Sequence, residues 1–235
     1  MNILQNIING DAFQAMLLGM LSCGCPITPQ GEEAVVRYWH SVRSDDLAWR
    51  SGADFDRIME LLGNEPTPTP FHSLRQYCIN FSDTPLKLHI FKNDVLRYLG
   101  SQYHYGRLTA GLEDISDAMS PFIAGHMLLP VRMNEDESAL YCIDGAKVTL
   151  KNLCFPNWGL SKPKGLAAVH LGMILCDISS KEYQMLLEHQ GLIPDLVRRV
   201  KQLSEIDFSR LPVFGDHCAH TKERLEKYDT LFNEK

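Results

Sequence analysis

The segment LYCIDGAKVTLKNL, residues 140–153, predicts the fold of the C-terminal part of this chain more directly than any other stretch. Its centre, Asp144-Gly145, is typical of a two-residue β-hairpin turn, because both turn positions need positive φ angles that Asp and Gly tolerate. The flanking residues 140–143 and 147–153 contain β-branched and aromatic side chains, which favour strands. The pattern therefore predicts an antiparallel hairpin.

Further strands are predicted on both sides of this hairpin. An apolar stretch at residues 127–133 precedes it, and a long apolar run at residues 166–178 follows it. The length and the Val and Ile content of the second run are typical of one central strand. Ser179 and Glu182, directly after that run, have the spacing of a capping box, which predicts that a helix begins there.

Helices are predicted around these strands, at residues 93–100, 108–119, 181–190 and 194–204. Asn93 is the expected N-cap of the first helix, and Pro121 is expected to end the second. Helices are thus followed by mostly antiparallel strands, with further helices between and after them. This order predicts the α+β class.

The N-terminal part has a different character. Apolar residues recur there at helical spacing, and the segment 66–70, PTPTP, can continue neither a helix nor a central strand. We therefore expect a helical N-terminal part at residues 1–65 and a proline-rich connector and loop at 66–84. An α+β domain at 85–235 follows, in which a mainly antiparallel sheet is flanked by helices.

Composition limits the class of protein. Of 235 residues, 45% are hydrophobic and 22% are charged, as in an ordinary soluble globular protein. The net charge of -6 lacks the basic excess that is usual in nucleic-acid-binding chains, although it permits a local basic patch. The seven cysteines are an odd number, the first 21 residues contain no Lys or Arg, and no apolar run reaches the ~20 residues of a membrane span. We expect a cytoplasmic protein with reduced thiols and no membrane contact.

Two Cys/His clusters, one near each end of the chain, indicate a metal site. Cys23 and Cys25 form one cluster, and His217, Cys218 and His220 form the other. Four such ligands in two pairs are typical of a split tetrahedral zinc site. Helical residues two apart point in nearly opposite directions, so Cys218 and His220 would not serve together. The predicted ligands of a structural zinc ion are therefore Cys23, Cys25, His217 and one of Cys218 or His220, of which His220 is taken as the fourth ligand. The alternative is that the cysteines mark a tight turn and the histidines lie at the start of a helix.

A second hypothesis makes Cys25 a nucleophile. It lies three residues before Thr28-Pro29, which predicts a helix N-terminus, and such a terminus stabilises a thiolate. The thiolate would also need a histidine partner. His104 lies in a predicted loop between aromatic residues, whereas His170 is expected inside a core strand. The alternative is a buried, unreactive thiol.

A third hypothesis concerns the loop at residues 155–165, FPNWGLSKPKG, which is predicted to join two strands. The loop combines Trp158 with Lys162 and Lys164. Aromatic faces beside cations are typical of surfaces that stack on nucleic-acid bases or anchor a protein partner. The alternative is a solvated connection whose tryptophan packs on the core. The acidic run at residues 134–137 is expected to be a polar turn.

The sequence contains no signature of a phosphate-binding loop, a dinucleotide site, a zinc peptidase or an α/β-hydrolase. We therefore expect a non-enzymatic intracellular protein that binds a macromolecule as a subunit, adaptor or inhibitor of a larger assembly. The partner is expected to be a protein. A subunit that contacts nucleic acid is the more specific form of this hypothesis. The alternative is a cysteine-dependent hydrolase or transferase that uses Cys25 and a histidine.

Overall fold

The structure, a computed structural model, describes residues 92–110, 116–155 and 162–211. From residue 96 onward these residues belong to one compact unit. The predicted N-terminal helices, the proline-rich connector and the boundaries after residues 65 and 84 lie outside the described residues.

Helices precede and follow the strands of this unit. The helices are α1 (Lys92–Leu99), α2 (Gln102–Thr109), α3 (Ser120–Gly125), α4 (Ser180–Gly191) and α5 (Pro194–Val200), with 3-10 turns at Asp117–Met119 and Phe208–Arg210. The strands are β1 (Leu129–Met133), β2 (Ala139–Ile143), β3 (Ala146–Lys151), β4 (Leu166–His170), β5 (Met173–Asp177) and β6 (Glu205–Asp207).

Within the described residues the strands form one sheet in the order β5-β4-β1-β2-β3-β6. Neighbouring strands are antiparallel except β3 and β6, which are parallel. A parallel pair needs a long crossover connection, and the chain from β4 to α5 supplies it. Helices combined with this sheet make the unit α+β, which confirms the predicted class for the described part.

The predicted hairpin is present between β2 and β3. Ile143 pairs with Ala146 across Asp144 and Gly145. The φ angles of the two turn residues are 46° and 81°, both positive as a type I′ turn requires. The ammonium of Lys201, just after α5, lies 2.6 Å from the Asp144 carboxylate and links the turn to the helical side of the unit.

The run at residues 166–178 is not the single strand that its length predicted. It forms β4 and β5, which are joined by a turn at Leu171 and Gly172 with φ angles of 51° and 78°. Leucine rarely adopts a positive φ angle, so the sequence gives little sign of this turn. Tertiary contacts hold Leu171 there, because its side chain is buried and its N–H donates to the Gly125 carbonyl at 2.9 Å.

Helix boundaries depend on capping residues. The predicted capping box is confirmed: Ser179 Oγ accepts a bond from the Glu182 N–H, and the Glu182 carboxylate accepts one from the Ser179 N–H. The prediction that Pro121 ends a helix is wrong. Pro121 lies in the first turn of α3, where its missing N–H costs no hydrogen bond. The helix predicted at 194–204 ends at Val200, and residues 205–207 form β6 instead.

One aromatic ring fixes two backbone segments at the edge of the core. The buried Phe208 ring packs directly on Gly125 and Gly172. A Cβ at these glycines would lie 2.9 Å and 2.8 Å from the ring, closer than real Cβ atoms approach other atoms. The two glycines therefore allow the end of α3 and the β4–β5 turn to meet on the same ring.

In the part of the chain that the structure describes, no helix combines the length and the apolar character needed to cross a membrane.

Candidate functional site

The predicted site residues fall into two groups. Cys23, Cys25, His217 and His220, the predicted zinc ligands, lie outside the described residues, and so does Trp158. Lys162 and Lys164 are described, and both lie just before β4. Among the described residues, no group of three or more His, Cys, Asp or Glu side chains is placed to hold a metal ion.

Both lysines line a surface groove of about 400 Å³. One wall is the end of β1 and the turn that leads to β2, and the other wall is the segment before β4. The lining residues are Met133, Asn134, Glu135, Glu137, Lys162, Pro163 and Lys164. The turn at 134–137, predicted only as a polar connection, is thus part of the same site as the predicted lysines.

Hydrogen bonds hold the turn wall in shape. Asn134 N–H donates to the Ser138 carbonyl at 2.9 Å, and the Asn134 amide donates to the Ser138 hydroxyl at 2.9 Å. Asp136 accepts bonds from the hydroxyl and the N–H of Ser138, and these bonds lower the pKa of Asp136. Glu137 has a φ angle of 67°, a conformation unusual for a residue with a side chain. The turn is therefore closed by its own side chains.

The opposite wall is anchored to the sheet. Met133 N–H donates to the Gly165 carbonyl at 2.8 Å, which ties the segment before β4 to the end of β1. Pro163 is buried, while Lys164 is exposed. Because the chain is pinned at 163 and 165, Lys164 is presented at the rim of the groove from a fixed backbone.

An ion pair joins the two walls. Lys162 Nζ lies 2.6 Å from a carboxylate oxygen of Glu137. The Glu137 side chain is 77% exposed, so water screens the pair and its contribution to stability is small. With Glu135 and Lys164, the groove carries two carboxylates and two ammonium groups. This mixed charge suits a ligand that carries both signs.

The groove is lined by polar and charged side chains beside Met133 and Pro163. Its lining, as far as the chain is described, includes no cysteine, serine or histidine that would act as a nucleophile or general base. Its polar groups are amide, carboxylate and ammonium groups at a solvent-exposed rim. Such groups form hydrogen bonds and ion pairs.

Five basic side chains elsewhere in the described residues are engaged in ion pairs. The pairs are Lys151–Glu205, Lys201–Asp144, Arg198–Asp117, Arg198–Asp195, Arg199–Asp195 and Arg210–Asp207. A phosphate backbone would have to compete with these carboxylates for each cation. The positive charge of these five residues is therefore opposed by neighbouring carboxylates.

The histidines named with the cysteine hypothesis are both placed. His170 is fully buried at the end of β4, which confirms the expected core strand. His104 lies in α2 rather than in a loop, because Ser101 caps the helix through a 3.1 Å bond from the His104 N–H. The proposed nucleophile, Cys25, lies outside the described residues.

Three cysteines, Cys142, Cys154 and Cys176, lie in the described part. Cys142 and Cys176 lie in strands as expected. Cys154 does not lie in an apolar strand: it makes one isolated bridge with Met173 and is exposed. None of these thiols lines the groove.

In comparisons with known proteins, the chain matches no protein-family model, no curated protein and no solved structure at a significant level.

Proposed function

We propose that this chain is a non-enzymatic binding protein, a subunit or adaptor, that recognises a segment of another protein in the groove between the 134–137 turn and Lys162–Lys164. The observation that carries the proposal is the Lys162–Glu137 ion pair across a groove of about 400 Å³. That volume falls within the ~300–1,000 Å³ typical of ligand-binding clefts.

Charge favours a protein segment over nucleic acid. Glu135 and Glu137 would repel a phosphate backbone, and the charge of Lys162 is already balanced by Glu137. A peptide with a carboxylate near Lys164 and a basic side chain near Glu135 would complement both signs. Oppositely charged surfaces of this kind mainly supply specificity and faster association.

The groove is well suited to an ordered contact. The hydrogen bonds of Ser138 and the Met133–Gly165 bond fix both walls before a partner arrives. A preformed site loses less conformational entropy on binding than a mobile loop does. We therefore expect binding that depends on a few charged side chains at the rim.

Selection from a displayed random-peptide library against the full chain tests this proposal. Fluorescence anisotropy then measures the affinity of a labelled selected peptide for the wild type, Lys164→Glu and Glu135→Lys. We expect both charge reversals to weaken binding at least tenfold. Lys147→Glu, an exposed lysine of β3 outside the groove, is the matched control and should leave the affinity unchanged. Equal affinity for all four proteins would refute the groove as the contact.

A separate experiment tests whether the partner is a nucleic acid. Single-stranded and duplex oligonucleotides are titrated at two salt concentrations against the wild type and a Trp158→Ala, Lys162→Ala, Lys164→Ala variant. On our proposal the wild type binds both weakly, and the variant binds them equally weakly. Tight, salt-dependent binding that the triple variant loses would replace the protein partner with a nucleic acid.

A further inference from the structure

Three histidines that are distant in sequence meet inside the unit. His104 comes from α2, His126 directly follows α3, and His170 ends β4. The ring centroids lie 6.4 Å apart for His104 and His126, 6.0 Å for His104 and His170, and 5.8 Å for His126 and His170. Each imidazole therefore has the other two as close neighbours.

Aromatic rings of α1 and α3 flank this histidine cluster. His170 is fully buried, and Nδ1 of His126 is buried. The Tyr98 ring of α1 lies 5.3 Å from the His104 ring, and the Phe122 ring of α3 lies 5.2 Å from the His126 ring. Within the described part, the Arg107 guanidinium of the same helix acts on His104 and disfavours a further positive charge.

The backbone keeps the three rings together. His104 Nε2 lies 3.3 Å from the His126 carbonyl, which only accepts, so Nε2 carries the donated proton. The Leu171 N–H bond to the Gly125 carbonyl joins the residue after His170 to the residue before His126. Phe208 packs on Gly125 and on Gly172 beside the same two segments. The rings cannot separate without disrupting these contacts.

Protonation is therefore unfavourable in the folded unit. A positive charge placed on the fully buried His170 ring would lose its hydration. When one ring is already charged, its repulsion at about 6 Å weakens proton binding to a neighbouring ring about a hundredfold, at an effective dielectric constant of about 20. The unfolded chain has neither penalty, because its histidines are separate and hydrated.

We infer that the His104–His126–His170 cluster is an acid-sensitive switch, which holds the unit closed while its rings are neutral and opens it when they take up protons. This inference is independent of the proposed groove function. Because the described residues contain no group placed to hold a metal ion, the chemistry assigned to the cluster is proton uptake.

The direction of the pH effect follows from the pKa of His104. Burial, assisted by Arg107 and partly offset by the bond to the His126 carbonyl, lowers this pKa from 6.5 to about 4. The unfolded state then binds the proton more tightly. The stabilising contribution of the neutral His104 ring is complete above pH 6.5 and is lost as the pH falls towards 4. For this one group the unfolding constant rises about fiftyfold between pH 7 and pH 4.5.

Carboxylates act in a different pH range. The pKa of Asp195 is lowered to about 2, and those of Asp117, Asp136 and Asp207 are also below the ordinary 3.8. Their stabilising effect is lost only below about pH 4. A loss of stability between pH 7 and pH 4.5 is therefore not due to these four carboxylates.

Urea unfolding of the full chain from pH 7 to pH 4.5 tests the switch. Gln at position 104 can still donate to the His126 carbonyl but does not take up a proton. We expect His104→Gln, and likewise His170→Gln, to reduce the acid-induced rise of the unfolding constant at least tenfold. His189→Gln on α4, outside the cluster, is the control and should keep the wild-type dependence. The same dependence in all four proteins would overturn the inference.

A second measurement needs no variant and applies even if the substituted chains do not fold. Histidine-ring NMR signals of the wild-type chain are followed as the pH is lowered. We expect the three cluster rings to stay neutral through pH 6.5 and to become protonated together with loss of the folded signals. Protonation of these rings near pH 6.5 in a chain that stays folded would also overturn the inference.

Discussion

The phenol of Tyr141 donates a 2.8 Å hydrogen bond to the side-chain carbonyl of Gln190, and both residues are fully buried. Gln190 in turn donates to the Leu128 carbonyl. This chain of bonds connects β2, α4 and the residue before β1 through the interior of the unit. Burial also raises the pKa of Tyr141, so the phenol remains a donor at all ordinary pH values.

Removing the phenol leaves the Gln190 carbonyl buried without this donor. We expect Tyr141→Phe to lower the free energy of unfolding by about 1–3 kcal/mol. Gln190→Leu should cost at least as much, because it leaves both Tyr141 and the Leu128 carbonyl unsatisfied. Urea unfolding measures both, with the half-buried Tyr183→Phe as a control of smaller effect. Costs that simply add in the double variant would contradict a shared network.

Asp195 stabilises the unit in a pH-dependent way. It accepts bonds from Tyr105 at 2.5 Å and from the buried Arg199 at 2.9 Å. Burial alone would raise its pKa, but bonds from Tyr105, Arg199 and Arg198 outweigh burial and lower the pKa to about 2. The carboxylate therefore stabilises the fold above about pH 4, and this contribution disappears as the pH falls towards 2.

The corresponding variant is Asp195→Asn. The wild-type Asp195 side chain is 42% exposed, so water partly screens its ion pairs. We therefore expect Asp195→Asn to lower the free energy of unfolding by only about 1–2 kcal/mol at pH 7 and to flatten the acid-unfolding curve below pH 4. Asp144→Asn removes the exposed pair with Lys201 and should cost less than about 1 kcal/mol. If the two variants unfold at the same urea concentration, Asp195 has no special role.

Two glycines with similar backbone angles provide a matched comparison. Gly145 and Gly172 have φ angles of 81° and 78°, so an alanine at either site is strained by about 1 kcal/mol. In the described part no heavy atom lies within 4 Å of a Cβ at Gly145, whereas a Cβ at Gly172 would meet Phe208. We expect Gly172→Ala to cost at least about 1 kcal/mol more than Gly145→Ala. Equal unfolding midpoints would show that Phe208 moves aside freely.

The capping box determines where α4 begins. Ser179 Oγ accepts from the Glu182 N–H at 3.2 Å, and the Glu182 carboxylate accepts from the Ser179 N–H at 2.6 Å. We expect Ser179→Ala to destabilise the chain by about 1 kcal/mol. Ser180→Ala, one residue further and exposed, should change the free energy of unfolding by less than about 0.5 kcal/mol. A larger effect at Ser180 would contradict the assigned cap.

Local signals predicted a substantial part of the fold. The Asp144-Gly145 turn, the flanking strands and the capping box at Ser179 and Glu182 each depend on a few neighbouring residues, so they could be recognised without the fold. The Leu171-Gly172 turn was not predicted, because leucine rarely has a positive φ angle. Burial and a hydrogen bond to the Gly125 carbonyl stabilise Leu171 there, and neither is visible in the local sequence. Pro121 was misassigned because a proline fits a helix start as well as it ends a helix.

The candidate site was only half predictable. Lys162 and Lys164 stood out by composition, but the carboxylate that pairs with Lys162 belongs to Glu137, 25 residues earlier. The histidine cluster gave no sequence signal, since its members lie on three separate elements. The sequence by itself determined the turns, caps and strand propensities, because these depend on backbone angles and nearby hydrogen bonds. Only the tertiary structure decided which charges and which imidazoles meet, because packing the helices on the sheet brings together residues that are dozens of positions apart.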